Sequence, residues 1–270
     1  MGYTVAVVGG GQLARMMQEA ASALGITLRA LVEDAGGSAG QVVPVQIEGA
    51  AKDEAALRAI AEGADALTVE HEHLDPAQLR RLGASGIPVH PGPDALLYAQ
   101  DKLAMRARLE ELGVEVPAWT EVRDAAGLEE FGERAGWPVV VKTPRGGYDG
   151  KGVRLARASS DVADWLEGIA RGQVSVDGLG GAGGEALLVE EYVPFTRELA
   201  ALVARRPSGE MRAWPVVETV QADGVCSEVL APAPGLDPAM AERAQRMALA
   251  IAEGLGVVGV LAVELFAVEG

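Results

Sequence analysis

The chain has 270 residues, 49% hydrophobic and 23% charged, with a formal net charge of −16 and one cysteine. That length can bury a large core divided into two or three subdomains. The acidic balance argues against nucleic acid and membrane surfaces as partners, Cys226 alone excludes a disulfide framework and fits a reducing cytoplasm, and no apolar run would span a bilayer.

The opening MGYTVAVVGGGQ has no charged n-region or cleavage pattern and reads directly as a strand over residues 4–8. Gly9-Gly10-Gly11 follows, then an amphipathic helix over 12–24 and a strand over 27–32 ending in Glu33-Asp34. Strands at 42–47, 66–69 and 87–90 alternate with helices at 53–62 and 76–82. This β-α-β alternation predicts an α/β fold opening on a Rossmann-like, doubly wound parallel sheet. Pro91-Gly92-Pro93 is the first strong break and closes a domain at residues 1–93.

A single helix is expected over 94–112, carrying Lys102, and a further helix over 124–134. Trp137-Pro138 leads into the apolar run Val139-Val140-Val141, which reads as a buried strand ending in Lys142. The loop beyond holds Gly146, Gly147, Gly150 and Gly152, with Tyr148, Asp149 and Lys151 between them. Glycines let backbone N–H groups converge on an anion, and a lysine at the strand end adds a point charge. The plainer alternative is a glycine-rich hairpin with a solvated lysine. A helix at 161–170 precedes DGLGGAGGE (177–185), which reads as flexible linker. Strands at 186–189, 197–205 and 214–219, a helix at 238–254 and a strand at 257–267 complete the chain, with further boundaries placed at 94–185 and 186–270.

Several groups could carry chemistry. Gly9 to Ala14 has the form G-x-G-x-x-A at a strand–helix turn, with Glu33 at the distance of a ribose-binding acid, so a dinucleotide site and an oxidoreductase stay open. Glu70-His71-Glu72-His73 lies at the ligand-binding edge of a sheet, as a substrate loop, a metal pair or a solvated turn. Glu190 to Val193 offers extended main chain for an adenine edge and carboxylates for a ribose. Glu264 sits within an apolar strand, where a buried carboxylate needs a partner such as Mg²⁺, although alternation could also place it on a solvated face. There are four lysines, Lys52, Lys102, Lys142 and Lys151, and no asparagine. The lysines that survive among so many arginines mark places where a compact ammonium is needed.

Lys102, Lys142 with its glycine loop, the Glu190–Val193 segment, Glu198 and Glu264, in that order, resemble the ATP-grasp superfamily. GGGQLARM, VEHEH, GGYDGKG and EEYVPFTREL resemble one family within it, the N5-carboxyaminoimidazole ribonucleotide synthetases of purine biosynthesis. The resemblance covers essentially the whole chain and implies an ATP-grasp α+β region after the Rossmann-like domain. It implies a ligase that uses ATP and Mg²⁺ to carboxylate 5-aminoimidazole ribonucleotide with bicarbonate through carboxyphosphate, and a homodimer. A formate-using ATP-grasp ligase is the near alternative, and a non-catalytic nucleotide-binding fragment another. By the same resemblance, Lys102, Lys142, Gly147 to Val153, Glu190, Glu191, Tyr192, Val193, Glu198 and Gln221 would bind ATP. Tyr148, Asp149 and Lys151 would line the carboxyphosphate and amine site, Gln12, Leu13, Glu70 and Glu72 would contact the ribonucleotide, and Glu264 would bind Mg²⁺. Gln221 stands where many members carry histidine. The family continues beyond this point with a strand bearing a second acidic metal ligand and a small domain, together about 100 residues, so a C-terminally incomplete chain is expected.

Overall fold

The computed structural model describes residues 2–147, 151–171, 185–222 and 224–268. The chain divides into two compact units: Met1–Ala99 with Gly256–Gly259, and Gln100–Leu255 with Val260–Gly270.

In the first unit, strands β1 (Thr4–Val8), β2 (Thr27–Val32), β3 (Val45–Glu48) and β4 (Ala66–Val69) form a sheet in the order β3-β2-β1-β4. Its pairings are parallel. Successive side chains on β1 point to opposite faces. Ala6 and Val8 pack with Leu57 and Ile60 of α2 (Glu54–Ala61) and with Leu79 and Leu82 of α3 (Pro76–Ala84). Val7 packs on the other face with Ala14 and Ala21 of α1 (Gln12–Leu24). Covering both faces explains why β1 and the end of β2 read as continuous apolar runs. Asp53 and Asp75 cap α2 and α3 by accepting hydrogen bonds from first-turn N–H groups. The expected strand at 87–90 is reduced to one bridge, Leu67 to Val89.

The helix expected over 94–112 is two helices, α4 (Pro93–Gln100) and α5 (Lys102–Glu111). Asp101 makes the break. Its backbone is extended, and its Oδ1 accepts from the N–H groups of Leu103 and Ala104, the first turn of a new helix.

The second unit holds two sheets. The first, in the order β5-β8-β6-β7, joins β5 (Trp119–Val122), β6 (Val139–Lys142), β7 (Val153–Ala156) and β8 (Leu187–Glu191). Its pairings are antiparallel. Val139, Val141, Leu187 and Val189 meet Leu128 and Phe131 of α6 (Ala125–Ala135) and Trp165 and Leu166 of α7 (Ala163–Ala170). The boundary placed at 185/186 is therefore corrected, because β8 lies between β5 and β6.

The second sheet runs β10 (Met211–Ala213), β9 (Arg197–Arg205), β11 (Val217–Ala222) and β12 (Val225–Leu230), with β13 (Gly259–Ala267) paired to β9. Leu199, Ala201 and Val203 pack on Ala244, Ala248 and Ala252 of α8 (Pro238–Gly254). β11 spans Val217–Ala222, later than the 214–219 expected, and β10 (Met211–Ala213) and β12 (Val225–Leu230) were not expected. Every residue of β12 is exposed, so no buried face imposes a period on its sequence. The linker reading at 177–185 falls almost wholly outside the described residues, which resume at Glu185.

Candidate functional site

Lys142 ends β6, and Glu190 lies near the end of β8, its neighbour in the sheet. Glu190 is only 3% exposed. Lys142 Nζ donates to Glu190 Oε2 at 2.5 Å, and Arg106 Nε of α5 donates to Oε1. Burial pushes the Glu190 carboxyl up, but the charges and hydrogen bonds of Lys142 and Arg106 outweigh it and hold the group below the usual carboxylate range. Two cations thus share one buried carboxylate, leaving a net positive charge in a strongly acidic chain. Among the described residues Glu190 is the one acid within ion-pair distance of either cation. Desolvated positive charge of this kind calls for an anion.

The mouth of the glycine loop is tied to α5. Lys102 N–H donates to Pro144 O, and Lys102 Nζ to Gly146 O at 2.9 Å. Arg145 Nε donates to Asp101 Oδ2 at 2.9 Å. Lys102 and Arg106 stand four residues apart, so one helix face carries both toward the sheet. Across Gly146 (φ 67°), the space where a Cβ would stand is empty. The sequence reading missed Arg106; its spacing from Lys102 on a helix was the available signal.

The first glycine turn is filled from within. Glu70 follows β4, and its carboxylate accepts from Gly11 N–H (2.7 Å), Leu13 N–H (3.0 Å) and Ala14 N–H (3.2 Å) at the start of α1. A Cβ on Gly9 or Gly11 would stand 2.5 or 2.6 Å from Glu70 oxygens. The pyrophosphate of a dinucleotide would need those same N–H groups. This corrects the dinucleotide alternative, and it gives Glu70 a structural task. Gln12 Oε1 accepts from Ser38 Oγ at 2.9 Å, while Leu13 is 54% exposed. His71 and His73 have ring centroids 5.6 Å apart, and among the described residues no group of three His, Cys, Asp or Glu could hold a metal ion.

The second sheet of unit 2 carries an acidic face. Leu199 on β9 and Leu261, Val263 and Leu265 on β13 point to α8, so Glu198 and Glu264, alternate to them, occupy the opposite face. Thr219 pairs with Glu198 across β11, and Gln221 lies two residues on, on the same side. Burial raises the Glu198 carboxyl above its ordinary range, the Gln221 hydrogen bond offsets part of this, and the negative charge of Glu264 adds to the rise. Glu264 itself is exposed, because burial alternates residue by residue along β13. This corrects the reading of a carboxylate buried among apolar neighbours. Phe266, on the same face and 49% exposed, stacks on Phe195 with ring centroids 4.4 Å apart.

Two family models match: the ribonucleotide synthetase preATP-grasp domain over residues 2–100 and the ATP-grasp domain over residues 107–270. The N5-carboxyaminoimidazole ribonucleotide synthetase of Thermus thermophilus has a solved structure that superposes with a TM-score of 0.83 at 36% identity, covering 98% of this chain and 68% of that one. The chain belongs to the N5-carboxyaminoimidazole ribonucleotide synthetase family of ATP-grasp proteins. The synthase of Mycobacterium tuberculosis is 52% identical over 262 residues, covering 97% of this chain. The chain spans 58% of the length of that curated relative. The Aspergillus clavatus synthase, solved in complex with ADP and 5-aminoimidazole ribonucleotide, is 29% identical with a TM-score of 0.84, covering 98% of this chain and 66% of that one.

The ATP-grasp residues expected from sequence fall into separate groups in this member. Lys142 and Glu190 meet in the cationic cluster, Lys102 stands at the mouth of the glycine loop, and Glu198, Gln221 and Glu264 share the acidic face. The Glu190 side chain is enclosed by Lys142 and Arg106. Glu191 Oε1 accepts from Ala118 N–H at 2.8 Å, the sheet ladder ends with that residue, and Tyr192 stands 48% exposed beyond it. Gly147, Lys151, Gly152 and Val153 lie around the turn into β7, where Gly152 O accepts from Thr143 N–H. Tyr148, Asp149 and Gly150 lie outside the described residues. Among the described residues no helix is long and apolar enough to cross a membrane.

Proposed function

We propose that this chain is the nucleotide-binding part of an ATP-dependent ligase that carboxylates 5-aminoimidazole ribonucleotide with bicarbonate. The observation that carries the reading is the buried Lys142–Glu190–Arg106 cluster, one positive charge in excess at the base of a glycine loop. Lys142 and Lys102 bind the ATP phosphates, Glu198 accepts from ribose hydroxyls, and the main chain from Glu190 to Val193 meets the adenine. Bicarbonate attacks the γ-phosphorus and ADP leaves, giving carboxyphosphate. The exocyclic amine of the ribonucleotide attacks the carboxyl carbon and phosphate leaves, taking up the proton that the amine sheds, giving the carbamate. Tyr148, Asp149 and Lys151 line that second step by family resemblance, and Gln12, Leu13 and Glu72 contact the ribonucleotide. Glu70 supports that loop by holding the amide groups of Gly11, Leu13 and Ala14.

Mg²⁺ bound with nucleotide phosphates uses one or two protein carboxylates rather than a full cage. Glu264 and the neighbouring Glu198, whose carboxyl the charge of Glu264 helps to raise, fit that donor set. Glu264 would hold the ion, which when bound neutralises phosphate charge. Homodimerisation, as the family resemblance implies, completes the proposal.

The deciding experiment follows ¹³C-bicarbonate into product, with ATP and 5-aminoimidazole ribonucleotide, in a protein extended to the length of its relatives. Label in a carbamate with stoichiometric ADP supports the reading. Label from formate in place of bicarbonate would move the chain to another ATP-grasp ligase, and ATP binding without turnover would leave a nucleotide-binding module.

A further inference from the structure

We propose that Arg106 is a positioning residue for the phosphate site, acting on Lys142 through Glu190; this rests on the nucleotide-binding reading above. The two oxygens of Glu190 are divided between two cations. Oε1 takes Arg106 Nε and Oε2 takes Lys142 Nζ. A lysine ammonium on a four-carbon stem has many rotamers, and one hydrogen bond to a carboxylate that could itself rotate would leave it poorly placed. The guanidinium of Arg106, its side chain 15% exposed, fixes the carboxylate plane from the far side. Glu190, its side chain 4% exposed, is shielded from water that could replace either cation.

Charge leads to the same residue. Lys142 and Glu190 alone form a neutral pair, whose carboxylate would repel a phosphate about as strongly as the ammonium attracts it. Arg106 cancels that carboxylate and frees the Lys142 charge to act outward. Its helix also brings Lys102 to the mouth of the glycine loop, where Nζ donates to Gly146 O. One face of α5 therefore orients both the loop and the lysine beneath it.

The test is a double-mutant cycle read by calorimetric titration of the chain with ADP, using Arg106→Leu, Arg106→Lys, Lys142→Met and Lys142→Met/Arg106→Leu. Arg106→Leu is expected to weaken ADP by about 30-fold, the lower end of the effect of truncating one partner of a buried charge pair. Arg106→Lys, which keeps the charge and loses the planar fork, is expected between wild type and Arg106→Leu. In the Lys142→Met background Arg106→Leu should add less than about 3-fold, because its route to the phosphate is gone. Additive losses, or unchanged ADP affinity in Arg106→Leu, would overturn the inference while wild-type binding keeps the functional reading. A wild-type chain that binds no ADP overturns both. Thermal melts of each variant separate a general loss of fold, which Arg106→Lys is expected to avoid.

Discussion

Two glycine-rich turns follow apolar strands in this chain, one in each compact unit, and they are used in opposite ways. After β1, Gly9 and Gly11 crowd against Glu70, whose carboxylate takes the amide groups at the start of α1. After β6, Gly146 faces open space, and the charges beneath it are two cations to one carboxylate. The first turn carries its own anion; at the second, among the described residues, Lys142 and Arg106 share the single carboxylate of Glu190. A glycine pattern alone therefore tells little about ligands. The balance of charge that the fold brings to the turn decides whether an external phosphate is wanted.

The sharpest way to break this comparison is Lys142→Ala. Truncating one partner of a buried charge pair costs about 2–5 kcal/mol. ATP affinity should fall accordingly in calorimetric titration, while the first unit melts as before. Unchanged affinity would show that the cationic cluster is structural and that phosphate binds elsewhere.

Glu70→Ala should act the other way round. It leaves three N–H groups at the start of α1 without their acceptor, and a lost acceptor of this kind costs roughly 1–3 kcal/mol of stability. Calorimetric melting should show the loss, and ATP titration should not. NAD(P) binding gained by this variant would mean that Glu70 had merely occluded a dinucleotide site. If both ATP affinity and stability fell, the turn would be coupled to nucleotide binding after all.

The β-α-β order, the strand into Lys142 and the family motifs were legible because each leaves a local trace in period or spacing. The rest depended on contacts distant in sequence. Arg106 looks like any surface arginine on a helix until β8, 84 residues on, delivers Glu190 to it. Glu70 reads as a substrate-facing acid until β4 sets it beside the start of α1, 59 residues earlier. Glu264 looked buried because apolar residues flank it, yet alternation sends those neighbours to α8 and the carboxylate to the open face. Asp101 was read through as mid-helix, since Asp is tolerated there and its cap is visible only once its side chain meets the next turn.

Acid provides a milder probe of the second turn. The Glu190 carboxyl is held below its ordinary value of 4.5, with Lys142 and Arg106 overcoming burial. A depressed carboxylate contributes stability that is fully present above its unfolded value and is lost as pH falls through the folded one. The melting temperature of the second unit should therefore begin to drop below about pH 4.5. Arg106→Leu leaves burial opposed by Lys142 alone, which shrinks the depression, so its loss of stability in acid should be smaller than that of wild type. Matching acid profiles for wild type and variant, followed by circular dichroism, would mean that Arg106 carries little of the balance.

The smallest expected effect lies on the acidic face and has the opposite sign. Burial, with the charge of Glu264, raises Glu198 above 4.5 despite the Gln221 hydrogen bond. A raised carboxyl contributes stability that is present below its unfolded value and is lost as pH rises through the folded one. At neutral pH the ionised Glu198 is thus a liability in the nucleotide-free protein. Glu198→Gln should raise the melting temperature at pH 7 and leave it nearly unchanged at pH 4, where the acid is largely protonated. The gain is bounded at about 1 kcal/mol, because water screens much of this partly open site. The same change should weaken ATP, since a neutral amide oxygen replaces a charged acceptor for the ribose hydroxyls. Greater stability with poorer binding would mark Glu198 as an acid kept for its ligand. Lower stability at pH 7 would instead show that its bond with Gln221 outweighs the repulsion from Glu264, and would remove the charge argument for a cation on this face.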